Sequence, residues 1–176
     1  MERIKHNISE YKIPNYIEDI LVNNYCRSFI KMTIIRDHAK YQFSYNSGIY
    51  KRLKTDELDL YSKMILLRTI IVIAEMNEDC LIKPEEYLIE PELIYSNNNG
   101  VNENRIKIMF YPDFKKMNLI TKMKLFADKI INIKDLEEIN MINKFKDVCE
   151  SEDINKIKNF LDKNIGRIER STILKS

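Results

Sequence analysis

Chemistry needs side chains that can trade a proton, hold a metal or attack an electrophile, and this sequence uses them sparingly. Its two histidines are His6 and His38. The second follows Arg36-Asp37 at the tip of an expected hairpin, where a solvated turn residue is a better reading than a general base. Cys26, Cys80 and Cys149 are far apart, odd in number and never form a CxxC pair, so neither a disulfide framework nor a zinc site is encoded. No Ser-His-Asp or Cys-His arrangement can be nominated. Glu85, Glu86, Glu90 and Glu92 form an acidic cluster that could hold a cation or build an atypical enzyme site; carboxylates astride Pro84 and Pro91 also suit an exposed loop. Lys115, Lys116, Lys122, Lys124, Lys129 and Lys134 could line a helix over about 117–132 as a basic stripe for a phosphate backbone. Asp128, Asp135, Glu137 and Glu138 lie close by and make a solvated face the simpler reading. Tyr41, Tyr45 and Tyr50 either fill a sheet face or offer the aromatic contacts common at binding hot spots. The expected interaction surface is therefore Tyr41, Tyr45, Tyr50, Lys115, Lys116 and Lys122, with no catalytic, metal-binding or cofactor-binding residue assigned and no cofactor expected.

Bulk composition narrows the classes further. The 29 basic and 27 acidic residues nearly cancel to +2, which leaves no large field to draw in nucleic acid or an anionic membrane. At 176 residues, 44% hydrophobic and 32% charged, the chain suits one folded domain burying roughly two-thirds of the surface its unfolded form exposes. The start, Met1 to Pro14, alternates charged and apolar residues without a signal-peptide run. The longest apolar stretch, Met64 to Met76, is broken by Arg68, Thr69 and Glu75 and is too short for a bilayer. A cytoplasmic, reduced setting is expected.

Side chains like these are positioned by elements that hydropathy and turn chemistry predict. Residues 1–14 are expected to be a poorly defined arm, 15–165 a single α+β domain, and 166–176 a frayed tail. A helix is expected over 15–25, then a β-hairpin from the β-rich run 28–35 and the alternating Tyr41, Phe43 and Tyr45. Thr55 is the expected N-cap of a long helix over 56–77, apolar around nearly its whole circumference and so the central core helix. Short strands near 87–89 and 93–95 follow, and the second hairpin closes with Ile106, Ile108 and Phe110 before Pro112. Three helices end the chain, with Asp135 and Ser151 as N-caps for the last two and Gly166 as the stop.

That order, with two hairpins around a long buried helix and a helical C-terminal part, resembles a reduced protein-kinase-like fold. Asp79 to Ile89 resembles a kinase catalytic loop: Lys83, Pro84 and Glu85 keep the pattern, while Glu86 stands at the metal-binding asparagine position and Leu81 at the catalytic aspartate position. A phosphotransfer site also needs a glycine-rich loop and an Asp-Phe-Gly motif. Gly48, Gly100 and Gly166 are scattered, and Asp113, after Pro112, reads as a turn or helix cap. More specifically, the chain resembles a bacterial domain of unknown function usually found ahead of a forkhead-associated (FHA) domain, and more remotely the pseudokinase domain of the type VII secretion protein EssB. The similar pieces are Asn24 to Ile30, Tyr41 to Tyr45, Tyr87 to Tyr95 and Phe110-Tyr111-Pro112, spread across roughly residues 15–165. Neither an FHA domain nor a membrane segment follows the shared region in this sequence. The resemblance implies a pseudokinase-type module without catalysis, which presents surfaces to an unidentified protein partner in bacterial signalling or envelope-associated assembly, with self-association left open.

Overall fold

A helix that is apolar on all sides must be enclosed, and helix α2 (Leu60–Asp79) is: Met64, Leu66, Leu67, Ile70, Ile71, Ile73 and Ala74 have almost no solvent exposure. The computed structural model describes residues 3–8, 13–37 and 40–173; His38 lies outside them. Its architecture is α+β, with five helices and two three-stranded antiparallel sheets among the described residues. The N-cap of α2 is Asp59, whose carboxylate accepts the Ser62 N–H at 2.7 Å. Thr55, the expected cap, is buried in a preceding 3-10 turn, Thr55–Glu57, and the extended backbone at Leu58 separates that turn from the helix.

The first hairpin forms as expected from β2 (Lys31–Asp37) and β3 (Lys40–Asn46). The arm expected over residues 1–14 instead contributes β1 (Arg3–Ile8), which pairs with the other edge of β3 in the order β1-β3-β2. Its register runs from Arg3 opposite Asn46 to Ile8 opposite Tyr41. Such a strand depends on a partner almost forty residues away, so local propensity undersells it. Helix α1 (Asn15–Val22) packs Ile17 and Leu21 against this sheet.

The second sheet joins β4 (Lys51–Arg52) to the expected hairpin of β5 (Ile94–Ser96) and β6 (Ile106–Ile108). Ile108 also ties it to the segment ahead of β2, donating to the Ser28 carbonyl at 2.8 Å and accepting from Ile30 N at 2.9 Å. The strand expected over 87–89 reduces to a single bridge between Tyr87 and Pro112. Pro84 and Pro91 open 3-10 turns on either side, and a proline has no N–H to offer a ladder.

Helices α3 (Leu119–Ile130), α4 (Leu136–Cys149) and α5 (Ile154–Ile173) complete the coat around α2. Asp135 caps α4 as expected, accepting the N–H groups of Glu137 and Glu138. For α5 the cap is Asp153, which accepts from Asn155 N and Lys156 N; Ser151 instead donates its hydroxyl to the Val148 carbonyl. Gly166 does not stop α5, and the tail expected to fray from 166 is helical to Ile173. A glycine inside a helix costs about 1 kcal/mol against alanine. The packing of Ile165 and Ile168 on the core, with the Arg170 Nε bond to the Gly166 carbonyl at 2.9 Å, outweighs it. No helix among the described residues is long and apolar enough to cross a membrane.

Candidate interaction surface

Four of the six residues expected at an interaction surface are buried or half-buried. Tyr45 shares the inner face of β3 with Phe43; it is 1% exposed and donates its hydroxyl to the Phe110 carbonyl at 2.5 Å. Burial pushes its phenol well above the usual value. Tyr45 is therefore a core residue. Tyr41, four residues earlier on the same face, is half-buried with the Arg36 guanidinium 5.7 Å from its ring centre. Tyr50 lies beyond the hairpin, half-buried beneath Lys107 at 5.0 Å. The tyrosines do not form one patch.

The lysine stripe divides in the same way. Lys115 and Lys116 are exposed, and Lys116 pairs with Glu86 at 2.5 Å. Lys122 is buried, against the expectation of a surface residue. Leu119, Met123, Phe126 and Ile130 mark the core face of α3, and position 122, three beyond Leu119 and four before Phe126, falls on that face. Its ammonium meets Asp113 Oδ2 at 2.8 Å and donates to the carbonyls of Pro84 and Tyr87. Asp113 Oδ1 accepts from Lys115 N at 2.9 Å and Oδ2 from Met117 N at 3.0 Å, so the turn role expected of Asp113 is combined with a buried ion pair. Burial alone would raise the Asp113 carboxyl; the bonds from Lys122 and the two N–H groups outweigh it and hold the carboxyl below its usual range. Burial lowers Lys122 despite its aspartate partner. A second buried pair, Lys63 with Glu138, clamps α2 to α4 through two 2.8 Å contacts.

The acidic cluster is dispersed. Glu86 meets Lys116, Glu90 meets Lys129, and Glu92 lies 3.8 Å from Arg52. Each carboxylate faces its own cation, and among the described residues no group of three or more His, Cys, Asp or Glu is placed to hold a metal. Glu85 is the exception and turns toward a different feature.

That feature is a hollow of about 720 Å³ beside the C-terminus of α2, lined by Tyr16, Glu78, Leu81, Lys83 and Glu85. The last turn of α2 is braced by Asn77, which is fully buried. Asn77 Oδ1 accepts from Ser28 Oγ and from Cys26 Sγ at 3.1 Å, and Nδ2 donates to the Tyr87 hydroxyl at 2.9 Å. Burial, ahead of any neighbour, pushes the Cys26 thiol up to about 12. Helix α2 ends in a Schellman turn: Ile82 N donates to Asn77 O at 2.9 Å and Leu81 N to Glu78 O at 2.8 Å. The turn requires a left-handed residue, and Leu81 supplies it at φ +64. Helix α1 ends in the same turn with Asn24 at φ +56, bonded through Asn24 N to Leu21 O and Tyr25 N to Ile20 O. Asparagine tolerates this conformation; leucine is rarely found there. Leu81 is nonetheless 69% exposed.

In the sequence Tyr16, Glu78 and Asn77 carry no motif that marks a site, and Leu81 stands out only at the substituted catalytic position. The available signal was the junction Asp79-Cys80-Leu81-Ile82, where a helix must end with neither glycine nor asparagine at hand. A second apolar groove lies between α4 and α5, lined by Leu136, Met141 and Ile168 with Lys144 and Arg167 at its rim. No protein-family model matches the chain, and no curated protein matches it significantly.

Proposed function

We propose that this protein is a non-catalytic interaction module of reduced kinase-like, pseudokinase-type architecture, working in the bacterial cytoplasm by presenting surfaces to another protein in signalling or envelope-associated assembly. The observation that carries this reading is the closed state of Asp113. It is the acid that follows the second hairpin, where a phosphotransfer enzyme keeps a carboxylate free for metal. Here both oxygens are taken by Lys122 and two backbone N–H groups in a buried setting. Freeing that carboxylate for magnesium would strand the Lys122 ammonium, a costly exchange. The exposed apolar residues at the end of α2 and along the α4–α5 groove support the interaction half of the reading.

The test is thermal unfolding with and without ATP and magnesium. Unchanged melting is expected. A saturable rise with nucleotide would refute the reading, because a ligand of the native state must stabilise it.

A further inference from the structure

We propose that the hollow beside Leu81 receives a basic segment of a partner protein, one that offers a lysine or arginine next to a large apolar side chain. This assignment rests on the interaction-module reading and specifies the chemistry of what is bound.

Three independent features converge on it. The first is Leu81 itself. The Schellman turn needs only backbone N–H and C=O groups at this position, so glycine would serve without strain, as asparagine does at Asn24. A leucine bears the left-handed penalty, and its side chain gains little in return from this chain, being largely exposed. The second is Tyr16, which also lines the hollow and, half exposed, presents an aromatic anchor.

The third is charge. Glu86, Glu90 and Glu92 each have a cation within the chain. Among the described residues, Glu78 and Glu85, which line the hollow, and the adjacent exposed Asp79 form no ion pair or side-chain hydrogen bond. Against these three carboxylates, the one cation among the described lining residues is Lys83. An apolar wall with an acidic rim complements a basic, apolar segment and repels an acidic one. It also disfavours a second copy of this chain docking face to face, since a two-fold axis would set the same acidic groups against each other.

The experiment pans a random displayed dodecapeptide library on the full chain, with Leu81→Gly as the counter-target. Glycine preserves the left-handed turn, so this variant removes the side chain and keeps the fold; its melting temperature is expected to equal or exceed that of the parent. Enriched peptides should carry Lys or Arg beside Leu, Phe, Tyr or Trp. A synthetic consensus peptide should lose about tenfold or more in affinity to Leu81→Gly and to the double reversal Glu78→Lys with Glu85→Lys. Its binding should weaken as salt is added. The proposal is overturned by a library that yields no consensus, by acidic or uncharged consensus peptides, by binding indifferent to Leu81→Gly, or by self-association through this face in sedimentation. Each of those outcomes leaves the non-catalytic reading intact, whereas stabilisation by ATP and magnesium would remove that reading instead.

Discussion

Replacing Lys122 by methionine tests the placement of this lysine in the interior most directly. Methionine keeps an unbranched apolar stem of four heavy atoms and removes the ammonium. Three contacts vanish: the 2.8 Å pair with Asp113 Oδ2 and the bonds to the carbonyls of Pro84 and Tyr87. Asp113 then remains buried with two N–H donors but no cation. Breaking a buried pair from one side costs about 3–5 kcal/mol. Each orphaned carbonyl would add about 1–3 kcal/mol if water could not reach it. Because these penalties overlap and the site can relax, a total of about 4 kcal/mol is expected, a large share of the roughly 5–15 kcal/mol that holds a domain together. For a chain of this size that corresponds to a melting temperature lower by about 8–16 °C. The chain contains no tryptophan, so urea unfolding is best followed by far-ultraviolet circular dichroism. Adding Asp113→Asn to Lys122→Met removes the stranded charge, and the double variant should be more stable than Lys122→Met alone. The coupling energy in the double-mutant cycle should be about 2 kcal/mol. A loss within about 0.5 kcal/mol for Lys122→Met, the behaviour of a surface lysine, would refute the buried-pair reasoning. So would strict additivity of the two changes.

Tyr45→Phe should cost about 1 kcal/mol through its lost bond to the Phe110 carbonyl, whereas Tyr50→Phe should change the urea midpoint hardly at all. The depressed Asp113 carboxyl means that the unfolded chain takes up this proton before the native one does. Its stabilisation is present above the ordinary value of about 4 and is lost as the pH falls through the lower native value. The fall in stability over that acid range should be shallower in Asp113→Asn, measured by urea midpoints. Cys26 and Cys149 are raised by burial to about 12 and about 11, so the native protein holds protons that the unfolded chain releases above about 8.5. Stability from these thiols should drain away as the pH rises from there. At mildly alkaline pH a thiol reagent should modify the partly exposed Cys80 well before the other two, and reaction at equal rates would contradict their burial.

The elements legible in the sequence were those whose signal is local. The apolar circumference of α2, the alternation in β3 and the carboxylate at Asp135 act within a few residues of themselves, and each forms as expected. Strand β1 was illegible for the opposite reason. Its alternation of charged and apolar residues was visible, but only pairing with β3 makes it a strand. Gly166 misled because its cost is small beside the continuing apolar stripe of α5. At the surface, Tyr45 and Lys122 were assigned outward by residue type, while the periodicity of their own elements already directed them inward. The hollow was beyond reach of such reasoning: it joins Tyr16 from α1 to the turn after α2, and nothing in either segment alone announces the meeting.

The reach of α5 back to α2 has a consequence for how the protein is made. Arg68 of α2 bonds Asp162 of α5 across 94 positions of sequence. At the usual 5–20 residues per second of translation, the newly emerged α2 would wait roughly 5–20 s for its covering helix. Throughout that interval the α5-facing side of a stretch rich in isoleucine and leucine stands bare beside the ribosome. A nascent chain of this kind is a natural client for a holding chaperone at the tunnel exit, and it should aggregate first when such factors are scarce.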